Sequence, residues 1–241
     1  MTAILSIVVP VYMEGAAVEP ILRSLTSAVS TAHEILVVYD FDADPTAPVV
    51  AALSRELPTI RGHRNDLGPG VLNALKSGLI ASTGRYVVVS MADGSDEPAL
   101  IDHMVTLAEQ GADVVAASRY MRGGRQVGGP RLKGLLSRIA GLSLHHLAGV
   151  GTHDATNNFK LYSRRFLDDV TIESQAGFEL ALELTIKATI CGRRVTELPT
   201  TWRDRSTGTS NFKLRQWLPH YLRWYLLALR HARRPRSAAL R

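Results

Sequence analysis

The chain has 241 residues, 46% of them hydrophobic and 21% charged, a globular balance that excludes disordered and fibrous classes. A single cysteine, Cys191, excludes an internal disulfide framework, fits a reducing compartment and reads as core packing. Mean hydropathy is +0.03, yet no run approaches the ~20 apolar residues of a membrane-spanning helix.

The N-terminal stretch, Met1 to Pro10, has no basic residue ahead of its apolar run and passes straight into strand-like sequence, so it does not read as a signal peptide. The expected location is cytoplasmic. The net charge of +6 is unevenly spread: residues 205 to 241 hold nine Lys or Arg and no acid, which leaves 19 basic against 22 acidic groups upstream. A basic tail of this kind meets nucleic acid or an anionic membrane.

In chain order, Ile4 to Val11 is a β-branched and aliphatic run that predicts a strand buried on both faces. Helical spacing follows from Glu14 to Ala32, a second buried strand over Glu34 to Tyr39, and a second helix over Pro48 to Glu56. Asn73 to Ala81 predicts a third helix, Tyr86 to Ser90 a third strand, Ala99 to Glu109 a fourth helix and Val114 to Ala117 a short strand. Gly123, Gly124, Gly128, Gly129 and Pro130 then predict a mobile or ligand-ordered loop. Helices over Lys133 to Leu147 and Phe178 to Thr189, and strands over Phe159 to Tyr162 and Val195 to Thr201, complete the pattern. This alternation predicts one α/β domain, residues 1–212, with a mostly parallel sheet flanked by helices. A basic amphipathic helical tail, 213–241, follows.

Ligands bind outside the carboxyl ends of strands in such a sheet. Three of those ends are polar: Tyr12 and Glu14, then Asp40, Asp42 and Asp44, then Asp93, Ser95 and Asp96. Carboxylates crowded on one edge repel unless a cation sits among them, and hard oxygen ligands suit Mg²⁺ or Mn²⁺. Helix capping is the competing role, and Asp96, two residues before Pro98, is placed as an N-cap would be. No G-x-G-x-x-G follows the first strand, and neither a G-x-x-x-x-G-K-[ST] nor a G-x-S-x-G is present, so dinucleotide, P-loop and serine-hydrolase chemistry lose their warrant. The pair His145-His146 reads as helix surface.

Several motifs in order carry a resemblance. Val8-Val9-Pro10-x-Tyr12-x-Glu14, the acidic turn Tyr39 to Asp44, Gly68-x-Gly70-x-x-Asn73 and Ala92-Asp93 resemble the nucleotide-sugar half of family 2 inverting glycosyltransferases with the GT-A fold. Ser118-Arg119-Tyr120, Lys133-x-x-x-Ser137-Arg138, Asp154-x-Thr156, Glu197-x-Pro199 and Asp204-Arg205-x-x-Gly208-x-Ser210 narrow it to the polyprenyl-phosphate (dolichol-phosphate) mannosyltransferase group. The chain departs from that pattern where Met91 replaces the first Asp of D-x-D. It departs again at Tyr39 and Asp42 in the acidic turn, at Asn157-Asn158, and at Asn211-Phe212-Lys213.

The resemblance implies transfer of a hexose, mannose by default, from a nucleoside-diphosphate sugar (GDP-mannose) to a polyprenyl phosphate. It implies donor binding by Pro10, Tyr12, Glu14, Asp40, Asp42, Asp66, Gly70, Ala92 and Asp93, with Mg²⁺ or Mn²⁺ held by Asp93 and Ser95. The acceptor phosphate falls to Arg119, Lys133, Ser137, Arg138, Arg205 and Lys213, with Asp93, Arg119, Lys133 and Arg205 carrying catalysis. Trp217 to Ala232 mixes Trp, Tyr and Leu with Arg and predicts an interfacial helix on an anionic membrane, hence a peripheral protein on the inner face of the cell membrane. The competing role is a helix packed on the domain. No nucleic-acid motif accompanies the tail. Two other readings stay open: a same-fold transferase with a soluble or protein acceptor, and a non-catalytic nucleotide-sugar or lipid binder, the latter motivated by Met91.

Overall fold

The computed structural model describes residues 3–204 and the helix over 214–232, the latter with side chains from 218 onward. Seven strands form the central sheet: β1 (Leu5–Pro10), β2 (His33–Tyr39), β3 (Ile60–Arg64), β4 (Tyr86–Val89), β5 (Val114–Ser118), β7 (Lys160–Ser163) and β8 (Val195–Pro199). Their order is β3-β2-β1-β4-β7-β5-β8, and every pairing is parallel except those of β7, which runs antiparallel to both β4 and β5. A two-stranded ribbon pairs β6 (Arg125–Val127) with β9 (Thr201–Arg203) in parallel.

The two-residue side-chain repeat of these strands feeds two cores. Ile7, Val9, Ile35, Val37 and Val88 face α1 (Val18–Ala28), α2 (Thr46–Glu56) and α4 (Ile101–Glu109). Val8, Leu36, Val38, Val87 and Val89 face α3 (Val71–Ala81), α6 (Arg164–Asp169) and α7 (Leu180–Ile190). A strand covered on both sides must be apolar throughout, which is why β1, β2 and β4 read as unbroken hydrophobic runs. A third cluster joins α5 (Arg131–Ala148), α7 and α8 (Leu214–Ala232) through Leu144, Leu182, Ile186, Trp224 and Ala228.

Several expectations are corrected. The glycine-rich stretch after β5 is not structureless, because it contains β6, whose ladder partner lies some 75 residues downstream. Cys191 is exposed at the end of α7 rather than in the core. Within the helical tail, Trp224 is only 2% exposed and packs with Tyr221 and Tyr225 against α5 and α7, so these aromatics cover the domain, while the Trp217 side chain lies outside the described residues. The outer face of α8 is different: Leu218, Leu222 and Leu226, at four-residue spacing, remain exposed.

Candidate active site

The carboxyl ends of β1, β2, β4, β5 and β8 open on one edge of the sheet, as the parallel pairings require. On the β1–β2 side, Pro10 is buried at the end of its strand, and Tyr12 stands exposed with its ring edge-on to Phe41 at 6.1 Å. Glu14 donates its backbone N–H to Thr46 Oγ1 at 3.1 Å. Asp44 is buried, accepting from the N–H groups of Met13 and Thr46, and so shapes the turn from within. Asp42 lies at the surface against Arg64, 3.2 Å away.

Asp40 holds the glycine loop. Its Oδ1 accepts from Asn65 Nδ2 and its Oδ2 from the Gly70 N–H, both at 2.8 Å. Gly70 sits at φ +115° ahead of α3, a conformation that side chains resist, so the loop can approach a ligand closely there. Asp66 is exposed beside it and receives a 3.3 Å hydrogen bond from Ser77.

The loop after β4 carries the acidic group. Asp93 Oδ1 accepts from Ser95 N–H at 3.0 Å, with Ala92 and Ser95 buried on either side. Asp96 is not an N-cap: the residue at that place is Glu97, without a side-chain cap bond, while Asp96 turns back to accept from Met91 N–H at 2.8 Å and Ser90 Oγ at 3.3 Å. Burial, with the charge of Asp93 adding, pushes the Asp96 carboxyl up to about 7 against the pull of the Met91 N–H. Among the described residues no group of three metal-ligating side chains converges. Two neighbouring carboxylates and a serine still form a hard-oxygen donor set, and a Mg²⁺-type ion commonly takes one or two carboxylates and fills its shell with substrate phosphate and water. The residues present fit such a shared ion.

Across from this loop, Arg119 follows β5. Its Nε and Nη2 donate to Asp154 at 2.7 and 2.9 Å, and Nη2 also reaches Ser137 Oγ at 3.2 Å. The guanidinium lies over the rings of Tyr120 and Trp202. Burial works against its charge, but Asp154 more than offsets that and raises its pKa, while burial of Asp154 is outweighed by Arg119, which lowers the carboxyl. β9 joins the two halves of the edge: its Trp202 ring lies against the Arg119 guanidinium and its Arg203 N–H points to the Ser95 carbonyl at 3.5 Å. Ser137 Oγ stands 2.6 Å from Thr156 Oγ1 and accepts from Tyr120 Oη at 3.0 Å. Lys133 is half-buried on the first turn of α5, and Arg138 is exposed on the same helix. Arg205 and Lys213 lie outside the described residues.

An open depression of about 320 Å³ separates the loop over 94–100 from Thr201 and Arg203 of β9. Glu97 Oε2 bridges it, accepting from Thr200 Oγ1 at 2.9 Å and Thr201 N–H at 2.7 Å.

The family model for glycosyl transferase family 2 matches residues 6–171. The chain belongs to glycosyltransferase family 2. Among curated relatives, the polyprenol monophosphomannose synthase of Mycolicibacterium smegmatis is 30% identical over 229 residues, covering 88% of this chain and 85% of its own. The undecaprenyl-phosphate mannosyltransferase of Micrococcus luteus is 28% identical, covering 84% and 85%. Among solved structures, glucosyl-3-phosphoglycerate synthase from Mycobacterium tuberculosis superposes with a TM-score of 0.67 at 19% identity, over 98% of this chain and 82% of that one, which shows a shared GT-A fold. This family 2 member is therefore a glycosyltransferase, and its mostly parallel sheet with flanking helices is the expected one.

Residues without an individual role in the sequence reading also build the site. Asn65 stood in no motif, and Phe41 stood inside the acidic turn without a role of its own. Asp154 and Glu197 stood inside recognised motifs, but their partners lie 35 and 44 residues away, a pairing no local pattern displays.

Proposed function

We propose that this glycosyltransferase moves a hexose, mannose by resemblance, from a nucleoside-diphosphate sugar such as GDP-mannose to a polyprenyl phosphate, inverting the anomeric carbon, on the inner face of the cell membrane. The observation that carries this reading is the joining, through β9, of the Asp93–Asp96 loop to Arg119, a cation paired with Asp154 inside the protein. The names of the two mannosyltransferase relatives support the choice of acceptor and sugar.

A phosphate monoester has a second pKa near 6, so the acceptor is already a nucleophile at neutral pH and no general base is required. Its oxygen forms the new bond to the anomeric carbon as the bond from that carbon to the diphosphate oxygen breaks, and the nucleoside diphosphate leaves without a proton transfer. Two anions must be brought together, which is the task assigned to Arg119, Lys133, Ser137 and Arg138, with Arg205 and Lys213. Asp93 and Ser95, with Asp96 beside them, would hold a Mg²⁺ or Mn²⁺ that neutralises the leaving diphosphate. Tyr12, Glu14, Asp40, Asp42, Asp66, Gly70 and Ala92 line the donor half, the Tyr12–Phe41 pair offering an aromatic wall to the base.

The membrane contact belongs to outward faces and not to the buried aromatics. On α5, Leu132, Leu135, Leu136 and Ile139 are 40–63% exposed, with Arg131 and Arg138 among them. Leu218, Leu222 and Leu226 of α8 repeat the pattern. Apolar side chains interleaved with arginine suit an anionic bilayer surface.

The test is transfer from radiolabelled sugar nucleotides, with Mn²⁺, to polyprenyl phosphate in anionic vesicles and to water-soluble phosphorylated or protein acceptors. A lipid-linked monosaccharide is the expected product. Transfer to the soluble acceptors alone would refute the lipid assignment, and donor binding without transfer to any acceptor would refute the enzymatic one.

A further inference from the structure

The segment over 152–157 is the one that grips Arg119, and it is itself gripped from both ends. Glu197 of β8 accepts from Thr152 Oγ1 at 2.9 Å and from the His153 N–H at 2.8 Å, and its other oxygen lies 2.5 Å from His153 Nδ1. Lys160, at the start of β7 and wholly buried, donates to the carbonyl oxygens of Ala155 and Asn157. Asn157 ties the segment to β5 through the Ala117 carbonyl at 2.8 Å. On the outer side α5 presses directly on it: a Cβ at Gly141 would stand 2.1 Å from the His153 carbonyl oxygen, and the His145 and His153 rings stack at 3.8 Å.

Within this frame Asp154 takes Nε and Nη2 of Arg119. Among the described residues Nη1 donates no hydrogen bond, so one edge of the planar guanidinium faces no protein acceptor. A planar fork selects phosphate geometry only if its plane is held. The hydrogen bonds of Glu197 and Lys160 go to the segment over 152–157 and not to the carboxylate loop.

We propose that Glu197 and Lys160 are positioning residues: by clamping the segment over 152–157 they fix Asp154, and through it aim the Nη1 edge of Arg119 at the phosphate of the acceptor. This rests on the acceptor-phosphate assignment of Arg119 made above. Neither residue contacts substrate. Their effect should therefore appear in acceptor recognition and vanish when the guanidinium is absent.

The experiment measures acceptor KM and kcat at saturating donor, and nucleoside-diphosphate affinity by calorimetry, for Glu197→Gln and Lys160→Met alone and combined with Arg119→Ala. Each single variant should raise acceptor KM about five- to tenfold, the cost of part of a charge-assisted contact, with nucleotide affinity within about twofold of wild type. Added to Arg119→Ala, neither should raise KM further, because both act through the missing side chain. If Arg119→Ala leaves acceptor KM unchanged, the assignment of Arg119 fails and this proposal with it. If Arg119→Ala raises KM but Glu197→Gln does not, or multiplies with it, only the positioning role is overturned. Should Lys160→Met not fold, Glu197→Gln, which keeps the shape of the side chain, decides the matter alone.

Discussion

Arg119 and Asp154 form a two-point ion pair in which the Asp154 side chain has no exposed surface and the Arg119 side chain is 12% exposed. Such a pair is asymmetric in its consequences. Removing one partner strands a buried charge, whereas removing both does not. Asp154→Asn should destabilise the fold by about 3–5 kcal/mol, and the double variant Asp154→Leu/Arg119→Met should recover most of that while remaining inactive. Urea denaturation followed by circular dichroism, alongside the transfer assay, separates the two outcomes. Equal instability of the single and double variants would mean that the pair contributes packing and not charge.

Loss of Asp93 is expected to remove metal-dependent donor binding, since it is the carboxylate of the altered D-x-D sequence. Met91→Asp has a two-sided effect. It places a third carboxylate near Asp93 and Asp96, so the metal-free protein should melt at lower temperature while Mn²⁺ binds more tightly. Thermal shifts with and without Mn²⁺ report both, and a Met91→Asp protein indifferent to Mn²⁺ would remove this loop from the metal site.

Lys160 sets a pH signature. Burial pulls its ammonium down to about 7, with Asp154 opposing, while an unfolded lysine titrates near 10.4. Between those values the unfolded chain holds a proton that the folded chain has released, so this residue makes stability rise with pH across the window. A neutral amine still offers two N–H donors, one for each carbonyl it faces. Chemical denaturation at pH 7 and pH 9 should show a steeper gain for wild type than for Lys160→Met. Parallel slopes would mean that the lysine stays charged in the fold.

The packing of α8 sets what a truncation should do. Trp224 fills the space between Leu144, Leu182 and Ile186, so Trp224→Ala should cost about 3–5 kcal/mol, and a chain ending before Leu214 should be less stable instead of merely detached from lipid. Leu132→Glu with Leu136→Glu is the cleaner probe of the bilayer, because both side chains are exposed. These substitutions should abolish sedimentation with anionic vesicles and leave nucleotide affinity unchanged. Undiminished vesicle binding would move the contact elsewhere.

What could be read in the amino acids follows from how each element is buried. β1, β2 and β4 are covered on both faces and announce themselves as apolar runs. β3 lies at the sheet edge with only Ile60 buried, and its IRGHR sequence carries no strand signal. The β6–β9 ribbon depends on a partner far along the chain, so its glycines suggested only looseness. Helix α8 was visible as amphipathic, but amphipathicity does not say whether the apolar face meets lipid or protein. The same holds for the site. Arg119, Lys133 and Ser137 were named through the family resemblance, and the polar carboxyl ends of the strands by composition. That Asp40 is spent on Gly70, and Asp96 on Met91, depends on backbone directions that only the fold supplies.

The reversed direction of β7 has a broader effect. In a sheet whose strands all point one way, the working edge is reached only by chain leaving a strand, and whatever enters a strand does so on the far side. Inverting one member between β4 and β5 lets incoming chain arrive at the working edge as well, and that is how residues 152–157 and Lys160 come to stand opposite the acidic loop. Arg119, on chain leaving β5, is thereby held by Asp154, on chain entering β7. The cation and its counter-ion thus come from chain running in opposite senses, so substitutions in the segment bounded by α5 and β7 should change how firmly Arg119 is held while nucleotide affinity stays as it is.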